Sequence, residues 1–178
     1  MKTTMAGAVD FVTVDPFSST SLSQRLAEIA AEEALEQSGI GSKGDFPGPL
    51  FLAVAPIETE WPQRLEVARD VPTKDFGIIE YLATCSGGKF AHFHRRFTFG
   101  SVALSLAETF GTKGSPISLS TACASGATAI QLGVEAIRRG ETDATLCIAT
   151  GGPGKPQALS LIHNTPRRRR GTRTQQRA

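Results

Sequence analysis

Cys123 is the residue best placed to do chemistry. The run Ser118-Leu119-Ser120-Thr121-Ala122-Cys123-Ala124-Ser125-Gly126 carries a short β-prone stretch into a cysteine flanked by tiny residues. A long helical pattern begins directly after it. A strand-to-helix turn of this kind sets a thiol at the positive end of a helix, where free backbone N–H groups and the helix dipole favour the thiolate. Spacing alone leaves two readings open, a nucleophile or a small buried hydrophobe.

The remaining chemistry-bearing residues form no second constellation. His92 and His94, in Ala91-His92-Phe93-His94-Arg95-Arg96, supply two potential metal ligands, too few for a site, and read as a polar lead-in to a helix. Ser86-Gly87-Gly88-Lys89 lacks the spacing of a phosphate loop. Cys85 is followed by Gly87-Gly88 and preceded by no strand-like run, and Cys147 sits mid-strand as a core residue. No metal or cofactor is expected.

Several elements must position Cys123. Val9 to Val14 reads as a possible strand. Ser21 and Gln24 fit a capping box for a helix whose face is Leu22, Leu26, Ile29, Ala30 and Ala34, ended by Gly39. Gly41 to Pro49 is a loop, and Leu50 to Ala55 is a buried strand cut by Pro56. Loop and a short helix fill 56–73. Thr73 is placed to cap a helix running to Thr84. A further helix spans about 97–110, with Val102, Leu106 and Phe110 on one face. A strand at 116–121 precedes the cysteine. A helix over about 124–139 follows it, with Ile130, Val134 and Ile137 recurring along it, and Ala144 to Thr150 is another strand. Small residues around the first half of that helix predict a buried helix with its N-terminus directed inward. Gly133 within it implies a close contact. Strands alternating with helices predict an α/β fold with helices packed on a mostly parallel sheet, mixed at an edge.

The chain has 178 residues and 40% apolar composition, enough for one domain with a sizeable core. No apolar run reaches the ~20 residues needed to cross a bilayer. Three widely spaced cysteines make no disulfide framework, and a reducing cytoplasm is the expected setting. The net charge of +2 is misleading: six arginines lie in residues 165–178, and the rest carries 13 basic and 17 acidic residues, a net −4. The mildly acidic body excludes a basic nucleic-acid surface, and the arginine-rich end reads as a solvated, disordered tail.

Thr121-Ala122-Cys123-Ala124-Ser125-Gly126-Ala127-Thr128-Ala129-Ile130, with Gly133-Val134-Glu135-Ala136-Ile137-Arg138-Arg139-Gly140, resembles the active-site segment of the β-ketoacyl-acyl-carrier-protein synthases. Asp143 to Gly151 resembles their next strand. The likeness covers about residues 96–151, with a fainter one over 21–55. It implies a thiolase-like layered fold, incomplete here, and a role in fatty acid or polyketide synthesis. It also implies that Cys123 accepts an acyl group from the phosphopantetheine arm of an acyl carrier protein, with its backbone N–H in the oxyanion hole. A malonyl group on a second carrier protein would then lose carbon dioxide and extend the chain. A homodimer is implied, with the strand before the cysteine near the contact.

The family's decarboxylating histidines and lysine lie in a second half that this sequence does not match. Residues 1–151 are therefore expected to be a partial ketosynthase N-terminal domain. Residues 152–178 are expected to be a non-matching tail from a truncated or frame-shifted reading frame. The alternative is a catalytically inactive ketosynthase-like binding or dimerisation module.

Overall fold

A computed structural model describes Val12, residues 19–72 and residues 77–151. The expected strand at 9–14 (Val12 apart), the Thr73 cap and the tail from 152 onward lie outside the described residues. Among the described residues three parallel strands form the sheet: β1 (Leu50–Val54), β2 (Ile117–Leu119) and β3 (Leu146–Thr150), in the order β2-β1-β3. Phe51 pairs with Ile117 on one side of β1 and with Cys147 on the other. Every residue of β1 is buried. A central strand covered on both faces must read as a continuous apolar run, and Leu50-Phe51-Leu52-Ala53-Val54 does.

Side-chain alternation along β1 divides the core in two. Leu50, Leu52 and Val54 join Leu146 and Ile148 of β3 beneath helix α1 (Ser19–Ser38) and helix α5 (Ser101–Phe110). Phe51 and Ala53 join Leu119 of β2 on the other face, beneath helix α6 (Ser125–Arg138). Between β1 and α5 the chain makes three shorter helices, α2 (Trp61–Arg69), α3 (Ile78–Ser86) and α4 (His92–Arg96). The α/β expectation therefore holds, with helices on both faces of a small parallel sheet. Among the described residues no helix is long and apolar enough to cross a membrane.

The expected face of α5 is the observed one: Val102, Leu106 and Phe110 are fully buried. Gly111 ends this helix in left-handed backbone, φ 63°, and a Cβ there would lie 1.9 Å from the Gly44 carbonyl oxygen. Only glycine meets both demands.

Helix α1 departs from expectation. Its buried stripe is Thr20, Ser23, Ala27, Ala31 and Leu35, whereas Leu22, Leu26 and Ile29 are half-buried and Ala30 and Ala34 are exposed. The helix lies close on β3 and α5, and close approach selects small residues over large ones. Thr150 Oγ1 donates to the Ser23 carbonyl at 2.8 Å, which fixes that approach. The Ser21–Gln24 capping box does not form. The helix starts at Ser19, and the buried Glu60 carboxylate accepts the Ser21 N–H at 2.8 Å and the Ser21 hydroxyl at 3.2 Å. An anion at a helix N-terminus opposes the dipole and satisfies an orphan donor.

Candidate functional site

β2 ends at Leu119, and the chain turns through a 3₁₀ turn, Ala122–Ala124, into α6. Ala122 takes left-handed backbone, φ 51°, and is the sole non-glycine residue among those described to do so. For an L-residue that conformation costs roughly 1–2 kcal/mol, so surrounding bonds must hold it. They do. Ser125 Oγ accepts the Thr121 N–H at 2.7 Å and donates to the Ala122 carbonyl at 2.7 Å. Thr128 Oγ1 donates to the Ala124 carbonyl at 3.1 Å and lies 3.1 Å from the Thr121 hydroxyl. The Cys123 N–H takes no part in this lock.

The strained turn presents Cys123 at the surface, immediately before α6. A cleft of about 450 Å³ opens beside it, at the carboxyl ends of all three strands. Its walls include Val54, Pro56, Ser120, Ala122, Ser125 and Thr150. Cys123 flanks this cleft rather than lining it. Carboxyl ends of parallel strands are where open α/β sheets bind ligands.

Two expectations about α6 are corrected. The helix is not enclosed, and its N-terminus with Cys123 is exposed. The face packed on β1 and β3 is the small-residue one, with Ala129, Gly133 and Ala136 buried. Ile130, Val134 and Ile137 form a neighbouring stripe that is 59%, 39% and 44% exposed. The close contact implied by Gly133 is present: a Cβ there would lie 2.5 Å from Cys147 Sγ and 2.7 Å from Thr145 Oγ1.

The other cysteines lie apart. Cys147 Sγ donates to the Ala129 carbonyl at 3.4 Å and packs in the second core. Cys85 is half-buried in α3. Beside it, burial first, then the charge of Cys85 and a hydrogen bond to it, push the Tyr81 phenol above its ordinary value of 10.0. His92 and His94 occupy the one-turn α4, and the His92 ring lies against Phe93, tilted by 58° with ring centroids 4.2 Å apart. Among the described residues no three potential ligands gather as a metal site. Sequence reasoning missed Thr121, Ser125 and Thr128 as the lock on the turn. Their spacing of four and three along an emerging helix was the available signal.

Residues 91–166 match the family described as beta-ketoacyl synthase, N-terminal domain. The span runs past residue 151, where the sequence reading ends the family-like segment. A "putative polyketide beta-ketoacyl synthase 1" of Streptomyces halstedii is 38% identical over 71 residues, which cover 40% of this chain and 17% of that protein. The "pikromycin polyketide synthase component PikAII" of Streptomyces venezuelae is 31% identical over 146 residues, 77% of this chain and 3% of that protein. The chain thus spans under a fifth of either relative. With the α/β core and the strand–turn–helix at Cys123, these matches support a β-ketoacyl synthase, N-terminal portion, over residues 91–166, and the helices on a small parallel sheet are consistent with an incomplete thiolase-like fold.

Proposed function

We propose that Cys123 is an acyl-accepting nucleophile that takes its acyl group from an acyl carrier protein. The observation that carries this reading is the locked, left-handed turn at Ala122. It holds a thiol at the start of α6, beside a cleft at the carboxyl ends of the strands. The Cys123 sulfur attacks the thioester carbonyl, a new S–C bond forms, and the carrier's thiol leaves with the proton that Cys123 gives up. The thioester intermediate splits one hard step into two. The Cys123 N–H, outside the lock, is free to serve the developing oxyanion. In the full family a decarboxylative condensation with a malonyl-loaded carrier follows, and the proposal for this chain stops at acyl transfer.

The pathway is fatty acid or polyketide synthesis, and the polyketide descriptions of both relatives favour the second. A homodimer is proposed through β2, one of the two edge strands among the described residues, whose outer side is unpaired there. The exposed stripe Ile130, Val134 and Ile137 favours a second reading, in which the segment acts as a packing module without turnover. Intact-mass measurement after incubation with an acyl-carrier thioester separates the two. An adduct lost in Cys123→Ala supports acyl transfer, and no adduct on the native chain supports the module.

A further inference from the structure

We propose that Ser125 is a positioning residue for Cys123, holding the turn from which the thiol reacts and giving no proton to the substrate. This role rests on the reading of Cys123 as the acyl acceptor. Ser125 lines the cleft beside Cys123, a position that invites a direct contact with a ligand. Its hydrogen bonds assign it elsewhere. A serine hydroxyl carries one proton. That proton goes to the Ala122 carbonyl at 2.7 Å, and the oxygen accepts the Thr121 N–H at 2.7 Å. The Ser125 N–H also donates to the Ala122 carbonyl. The residue therefore grips both positions before Cys123 and keeps no hydroxyl proton for an oxyanion.

The left-handed backbone at Ala122 is what needs gripping. For an alanine that conformation is disfavoured by a factor of about 5–30. Both flanks of the turn are fixed. β2 pairs with β1 from Ile117 to Leu119, and α6 packs on β1 and β3. A turn that relaxes between two fixed ends absorbs the rotation locally, and Cys123 is the next residue along. Cys123 is exposed, so little packing resists its displacement. Thr128 bonds to Ala124 and Thr121 rather than to Ala122, which leaves Ser125 as the side chain that holds the strained residue itself.

The time course of Cys123 acylation by an acyl-carrier thioester, followed by intact mass on the full chain, tests this. The proteins compared are native, Ser125→Ala, Ser125→Thr, Ala122→Gly and the Ala122→Gly, Ser125→Ala double variant. Ser125→Ala is expected to slow acylation about tenfold, within the range set by the released strain. Ser125→Thr keeps the hydroxyl and is expected to recover most of that loss. Glycine adopts left-handed backbone without strain, so in the Ala122→Gly background Ser125→Ala is expected to cost no more than about threefold. Alkylation of Cys123 by iodoacetamide in the same proteins reads the mounting of the thiol without any acyl group, and the same dependence on background is expected. Native rates of both reactions in Ser125→Ala would overturn the proposal. So would an equal loss in both backgrounds, which marks a hydroxyl acting on the substrate or on overall stability. No acylation of the native chain, with the alkylation pattern intact, would remove the acyl reading and leave Ser125 as the group that holds the thiol.

Discussion

Replacing Gly133 by alanine separates two physical accounts by the sign of the effect. Helix propensity alone predicts that Gly133→Ala, within α6, stabilises the protein by up to ~1 kcal/mol. The packing predicts the reverse. The new Cβ would sit 2.5 Å from Cys147 Sγ and 2.7 Å from Thr145 Oγ1, so α6 must lift from β3 or both side chains must turn. Overpacking of this kind costs about 1–3 kcal/mol. The net is a loss of up to about 2 kcal/mol, a fall in the urea midpoint of up to about 1 M for a protein of this size. Urea unfolding of the four proteins in the cycle Gly133→Ala, Cys147→Ala and their combination isolates the clash. Removing Sγ should return about 1 kcal/mol of coupling. A stabilised Gly133→Ala variant, or additivity within about 0.5 kcal/mol, would refute the packing argument.

Three further outcomes follow from the same contacts. Glu60→Ala removes the acceptor of the Ser21 N–H and is expected to cost about 1–3 kcal/mol by urea unfolding, with helix content falling in circular dichroism; an unchanged midpoint would dismiss the cap. Ala122→Val, a β-branched residue forced into left-handed backbone, should destabilise by about 1–2 kcal/mol, whereas Ala122→Gly should not. The single tyrosine should titrate by ultraviolet absorbance above 10.0, and Cys85→Ser should bring it down. Because folding raises that value, the stabilisation is complete below the unfolded value of 10.0 and is lost as pH rises through the folded one.

What could be read from the sequence depended on residue size. Val102, Leu106 and Phe110 are large and four apart, and a face built that way is legible because burial of large side chains dominates the core. The α1 face was misread because Ser23, Ala27 and Ala31 pack there. A search for large apolar residues looks past a close contact, which is made by small ones. In α6 the periodicity of Ile130, Val134 and Ile137 correctly marks an apolar stripe, but period alone does not say which layer covers it. The capping carboxylate was invisible for another reason: Glu60 lies 39 residues from Ser21. At the site, the tiny residues around Cys123 marked the turn. The left-handed conformation at Ala122 carried no signal, since alanine rarely adopts it and only the tertiary setting imposes it.

The central claim is that the turn at Ala122 mounts Cys123 to accept an acyl group. Incubation of the purified chain with an acyl-carrier thioester, followed by intact-mass and peptide mapping, tests it most directly. The account predicts one acyl adduct, mapped to Cys123, retained in Cys85→Ser and Cys147→Ala and absent in Cys123→Ala. An adduct that persists in Cys123→Ala, or none on the native chain, would contradict it.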